Sequence, residues 1–277
     1  MAAIDLYADI RGEGMPILCL HGHPGNSQSL SVFTDALSPH YRTISPDLRG
    51  YGRSHTSTPF SMEAHLEDLE ALLTRLNLHQ FWLLGWSLGG ILALELALRH
   101  PEQVLGIIGV ATAARPRSDH PPVSRAMLAY SALAGISNAL LPGRQWIIDH
   151  WGRRSLFRYL VSRQIPAVYR YLAREGISAY LGTTPLARRA LSQALQGGYD
   201  RRSQLSQLHC PCLWLIGEAD RHITPASSHE TARLLPHCDV RVYEETAHLF
   251  PWEVPHLVRQ DILTWLTHPE RQALGYI

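Results

Sequence analysis

The chain contains no lysine. All 25 of its basic residues are arginine, so every permanently positive side chain is a planar fork of donors. Cysteine is scarce as well: Cys19, Cys210, Cys212 and Cys238 are the only four in 277 residues, too few and too irregularly placed for a disulfide framework. Cys210-Pro-Cys212 opens an apolar strand and lacks the second pair that a zinc pattern requires. No uninterrupted apolar stretch is long enough to cross a bilayer, and residues 1–11 lack a basic region followed by an apolar segment. The expectation is a cytoplasmic protein without a membrane span. Charged residues make up 18% against 45% hydrophobic, which excludes the disordered class and leaves a globular body with a full core. No recognition module accompanies the arginines, so nucleic acid is not an expected partner.

What is present is unevenly distributed. The net charge is +1, yet from Arg115 to Arg202 fourteen arginines meet four acids (Asp119, Asp149, Glu175, Asp200), a surplus of +10 that leaves −9 for the remainder. The hydrophobic pattern changes at the same place. Strand runs at 17–21, 42–45, 81–86 and 104–111 alternate with helical spacing at Met62, Leu66, Leu69, Leu73 and Leu76, behind a Ser61 N-cap, and again over 88–99. After Ala114 the strand runs stop. Prolines at 116, 121, 122, 142, 166 and 185 punctuate helical segments: one carrying Met127, Tyr130, Leu133 and Leu140, others over 165–174 and 186–195. Strand character returns at 213–216 and 240–243, and Leu257, Ile262, Leu263 and Leu266 mark a last helix. The pattern predicts an α/β fold: a mostly parallel, doubly wound sheet from residues 1–113 and 206–277, interrupted by a helical cap over 114–205.

Chemistry concentrates at Gly85-Trp86-Ser87-Leu88-Gly89-Gly90, which places one hydroxyl between an apolar strand and a helix. The glycines two residues to either side fit a turn in which backbone segments meet with little room for a Cβ. A serine hydroxyl is a weak nucleophile at neutral pH and needs a base, itself oriented by a third group. Asp220, in the loop after the strand at 213–216, and His248, just after the strand at 240–243, follow in the chain order this arrangement requires. Glu218 is a rival carboxylate two residues before Asp220, and His21 with His23 allows a metal-ligand reading on spacing alone.

Together these pieces resemble the α/β-hydrolase superfamily over nearly the whole core. The matching segments are His21-Gly22-His23-Pro24-Gly25, Asp47-Leu48-Arg49-Gly50-Tyr51-Gly52-Arg53-Ser54, the turn around Ser87, Gly217 with Asp220, and Ala247-His248. The resemblance implies Ser87 as nucleophile, His248 as general base and then acid, and Asp220 as the carboxylate that stabilises the imidazolium. It further implies an oxyanion hole from the backbone amides of His23 and Leu88, a structural role for the 47–54 loop, and no metal or organic cofactor.

Serine at position 87 is unlike the dehalogenases and epoxide hydrolases of this fold, which carry aspartate there. Leu88 and Leu249 stand where prolyl iminopeptidases and carbon–carbon bond hydrolases carry tryptophan. The segment around Ser87 closely resembles that of carboxylesterases acting on pimeloyl carrier-protein methyl esters. A serine hydrolase cleaving a carboxylic ester is therefore expected, its substrate anionic or borne by an acidic acyl carrier protein that the basic cap would attract. Alternatives are amide, lactone or carbon–carbon hydrolysis, and a noncatalytic ligand-binding protein on the same fold. Trp86 and Leu249 are candidate substrate-binding residues, with Tyr130, Trp146 and Trp151 as cap candidates. Arg153, Arg154 and Arg158 are expected near one helical face, as are Arg170 and Arg174.

Overall fold

Every residue of β4 (Phe81–Trp86), β5 (Val104–Val110) and β6 (Cys212–Gly217) is buried, which is why these runs show no polar alternation. The computed structural model describes residues 2–274 and places these strands in a seven-stranded sheet ordered β1-β3-β2-β4-β5-β6-β7. The others are β1 (Ala8–Arg11), β2 (Pro16–Leu20), β3 (Arg42–Pro46) and β7 (Cys238–Tyr243). All neighbours are parallel except β1, which pairs antiparallel with β3. The sequence pattern did not reveal β1. Its four residues carry Asp9 and Arg11, and Ile10 is 40% exposed, so this edge strand is held by backbone pairing and not by an apolar face.

Alternate residues of the strands feed two separate cores. Leu18, Leu20, Leu83, Ile107, Trp214 and Ile216 pack with α2 (Met62–Arg75) and α3 (Leu88–Arg99) on one face. Ile17, Cys19, Leu84, Ile108, Leu213 and Leu215 pack with α1 (Ser31–Leu37) and, near the carboxyl end of the chain, Val258, Ile262 and Trp265 on the other. Ser61 occupies the expected N-cap of α2 with extended backbone, but its side chain makes no capping hydrogen bond. After β2 the chain steps outward to β3 and then returns across β2 to β4. The strand order therefore reverses between β2 and β4, and at such a switch point the carboxyl ends of the strands open a crevice.

Between β5 and β6 the chain is helical: α4 (Arg125–Leu140), α5 (Gln145–His150), α6 (Phe157–Leu160), α7 (Pro166–Tyr171), a π-helical turn (Leu172–Gly176), α8 (Ile177–Leu181) and α9 (Pro185–Gln196). The helix expected to carry Met127, Tyr130, Leu133 and Leu140 is present as α4. Ala134 and Asn138 are buried, whereas Leu133 and Leu140 are 43% and 76% exposed, because the polar Asn138 is drawn inward to bridge the Tyr169 carbonyl and the Gly143 amide. Arg153 and Arg154 lie in a 3-10 turn and Arg158 in the separate α6, so the single helical face expected for them is broken. Arg170 in α7 and Arg174 in the π-helical turn that continues it stay on one uninterrupted helical stretch, both exposed. Between β6 and β7 lies α10 (Pro225–Leu234), and after β7 come α11 (Phe250–Glu253), α12 (Pro255–Leu266) and α13 (Pro269–Leu274). In α12 Leu257 is 43% exposed, while Ile262 and Leu266 are buried. Among the described residues no helix is long and apolar enough to cross a membrane.

Candidate active site

Ser87 connects β4 to α3 with φ +53° and ψ −113°, a conformation a side chain adopts only at a cost of about 1–3 kcal/mol. The surroundings hold it there. Its amide donates to the Val110 carbonyl at 2.9 Å, and its carbonyl accepts from Thr112 Oγ1 at 2.8 Å. A Cβ on Gly85 would meet the Gly89 carbonyl, and one on Gly89 would meet the Leu20 carbonyl, so the glycines spaced around the serine let three backbone segments close together.

β6 and β7 deliver the other two side chains. Asp220 follows β6, and its Oδ1 accepts from the amides of His222 (2.8 Å) and Ile223 (3.0 Å), leaving Oδ2 to His248 Nδ1 at 2.8 Å. A carboxylate can only accept, so Nδ1 carries the proton and the Nε2 lone pair faces Ser87 Oγ, 3.2 Å away. Ser87, Asp220 and His248 are 5%, 2% and 3% exposed, which keeps competing water from these contacts. Glu218 does not join them. It is exposed, and its Oε2 accepts from the Glu245 amide at 3.1 Å.

The loop after β2 lies beside this group because β2 pairs with β4. Leu88 is the first residue of α3, so its amide has no acceptor inside the helix; His23 lies in the neighbouring loop. The His23 ring shares a 2.8 Å hydrogen bond with Tyr51 Oη, and burial, with the charge of Arg188, pushes its pKa down to about 4. His21 is fully occupied. Its Nδ1–H donates to the Gly22 carbonyl at 2.8 Å and its Nε2 accepts from the Leu48 amide at 3.1 Å, leaving no lone pair for the metal reading. In the following loop, Asp47 receives the amides of Ser27 (2.6 Å) and Arg53 (2.8 Å), and the buried Arg49 pairs with the buried Asp68.

Trp86 and Leu249 are both buried next to the three side chains. The Trp86 ring lies 6.0 Å from that of His248 and 4.6 Å from that of Trp252, which stacks on Tyr171 at 4.5 Å. The indole N–H groups of Trp86 and Trp252 are buried without an acceptor among the described residues. A ring column missed in the sequence approaches from the other side: His222 is edge-on to His248 at 4.7 Å, with His120 beyond it at 5.9 Å and Tyr159 at a further 5.6 Å. Of the expected cap residues, Trp146 is 47% exposed, and Tyr130 and Trp151 stack on each other; His120, Tyr159 and Tyr171 are rings this segment sends toward the site. His222 and Trp252 carried one faint signal, their spacing of two and four residues from Asp220 and His248.

Part of the arginine surplus is spent internally. Arg153 pairs with Asp149, Arg174 with Glu175, Arg201 with Glu95, and Arg202 with Asp200 and Glu230. Arg144, Arg158 and Arg170 are exposed and make no ion pair among the described residues.

Residues 15–255 match the family described as alpha/beta hydrolase fold. A pimeloyl-(acyl-carrier protein) methyl ester esterase from Xanthomonas oryzae pv. oryzae is 30% identical over 243 residues, 84% of this chain and 87% of that protein. One of the same name from Yersinia enterocolitica is 35% identical over 156 residues, a stretch spanning 56% of this chain and only 55% of the relative. A thermophilic esterase from Thermogutta terrifontis superposes with a TM-score of 0.64 at 28% identity, covering 94% of this chain and 92% of that one. With a single match running through the strands, the Ser87 turn and the His248 loop, the chain belongs to the alpha/beta hydrolase fold family.

Proposed function

We propose that this protein hydrolyses carboxylic esters through an acyl-Ser87 intermediate, with residues 114–205 as a cap over a site built by residues 1–113 and 206–277. The observation that carries the reading is the continuous chain of short contacts from Asp220 through His248 to Ser87 Oγ. The esterase names of the relatives agree with it. In this reading His248 Nε2 takes the serine proton as Oγ attacks the ester carbonyl, and Asp220 stabilises the imidazolium across its 2.8 Å contact. The amides of Leu88 and His23 receive the oxyanion, each such donor contributing about 3 kcal/mol to the transition state. The proton then passes to the departing alkoxide, and His248 next activates water to release the acid by the same steps in reverse. Trp86 and Leu249 border the substrate, and the unmatched Trp86 N–H offers an acceptor oxygen a partner.

The substrate class proposed is an acyl ester that is anionic or attached to an acidic acyl carrier protein. The names of the relatives support it, as do the cap arginines without acidic partners. A fluorophosphonate that traps activated serines tests the chemistry: wild type should label and Ser87→Ala should not. An unlabelled wild type would leave only a ligand-binding role. Turnover of carrier-bound against free methyl esters tests the substrate class, and a rate no better with the carrier would remove that partner.

A further inference from the structure

Glu253 ends α11 five residues after His248 and is 6% exposed, an unusual place for a carboxylate. Its two oxygens serve two different parts of the chain. Oε1 accepts the amide of Ala247 at 2.8 Å, the residue before His248, and Oε2 accepts the amide of Arg163, in the segment between α6 and α7. The same two stretches are joined twice more: the Leu249 amide donates to the Leu160 carbonyl at 2.8 Å, and the Arg163 guanidinium to the Glu244 carbonyl at 3.3 Å. Between them Val161 is 1% exposed and belongs to the same apolar cluster as Leu249 and Trp252. Burial pushes the Glu253 carboxyl up from its ordinary range, while the Arg163 and Ala247 amides and the Arg163 charge pull it back.

We infer that Glu253 is a positioning residue that fastens cap residues 160–163 and the His248 loop into one body, so that the place of the cap sets the place of the base. The chemistry requires a carboxylate. Two N–H donors converge from opposite sides on one side chain, and only an ionised carboxylate presents an acceptor to both; glutamine, of the same shape, would turn an NH2 toward one of them. The imidazole must meet Ser87 Oγ and Asp220 at once, and a displacement of about 1 Å at such a site costs on the order of a hundredfold in rate. The ester is cleaved as before, with no atom of Glu253 entering the reaction.

This inference rests on His248 being the base, so Glu253→Gln and His248→Ala are measured side by side on p-nitrophenyl acetate, with hydrogen exchange followed over 158–164 and 244–250. The expected result is a folded Glu253→Gln enzyme whose kcat is lower by about 10–100-fold with KM within about twofold. Its rate of phosphonylation at Ser87 falls by a similar factor, and exchange rises in both segments together. A merely structural role would lower the melting temperature while leaving kcat per folded molecule unchanged, and that outcome overturns the inference. So does faster exchange in one segment only. If His248→Ala keeps near-normal turnover, the proposed mechanism itself fails; if it is inactive while Glu253→Gln is normal, only the role of Glu253 is lost.

Discussion

The strands and the helices between β5 and β6 use the same kinds of residue to different ends. In β4, β5 and β6 every apolar side chain is consumed by helices on both faces, and the charge there is confined to the loops at the strand ends. In α4 the apolar side chains face outward: Leu128, Leu133, Ile136 and Leu140 are 43–76% exposed, while a buried asparagine ties the helix to its neighbours. The core is specified by the hydrophobic effect, which is insensitive to direction and leaves a periodic trace in the sequence. Residues 114–205 also bury apolar side chains, Ile147, Ile148, Val161 and Val168 among them, and add individual hydrogen bonds and ring contacts that leave no periodic trace.

The contrast breaks most visibly at His248, the base of the proposed mechanism. His248→Ala should lower ester turnover by roughly 10⁴-fold or more with the circular dichroism spectrum unchanged, because the side chain contributes chemistry and little packing. Near-normal turnover would falsify its role. Next in size is stability. Leu83→Ala, in the middle of β4, should cost about 2–5 kcal/mol in denaturant melts, and Leu140→Ser on the outer face of α4 no more than about 0.5 kcal/mol. Comparable losses would mean that the α4 face is covered by something, such as a second copy of the chain.

Charge is the third axis. Reversing Arg144 and Arg158 to glutamate should slow turnover of a carrier-bound ester about tenfold at low salt and leave p-nitrophenyl acetate within about twofold. Equal effects on both substrates, or no dependence on salt, would count against steering by the cap. The smallest effect concerns protons. Burial pushes His65 and His222 down to about 3 and His23 to about 4, against an ordinary value of 6.5. The unfolded chain therefore binds protons that the folded one refuses, and stability should fall as pH drops from about 6.5 toward 3. Among the described residues His65 has no hydrogen-bond partner and packs against Phe60 and Tyr51, so His65→Phe should remove about one proton from that slope. An unchanged slope would assign the acid sensitivity elsewhere.

Several features were legible before any coordinates. The central strands, α2, α3 and the turn at Ser87 could be read because each joins a strong period to a local backbone demand, such as the glycines at 85 and 89. Asp220 and His248 could be singled out by their positions after the strand runs that became β6 and β7, though Glu218 could not be set aside until its carboxylate was seen turned to the Glu245 amide. β1 was missed because an edge strand of four residues needs no apolar face. The outward turn of Leu133 and Leu140 in α4 could not be read, because periodicity identifies a helix without saying which side another element will cover.

The sequence by itself determined the alternation of strands and helices, the position of the one serine at a forced turn, and the arginine surplus between 115 and 202. These are local or compositional properties that each segment carries wherever it is placed. Only the tertiary structure decided that Asp220, His248 and Ser87 meet at 2.8 and 3.2 Å, that His222 and Trp86 flank the imidazole, and that one buried carboxylate receives the amides of both Ala247 and Arg163. The contact between positions 87 and 248 is closed across 161 residues by the parallel order of β4, β5, β6 and β7, and no local pattern encodes a contact that depends on strands pairing side by side.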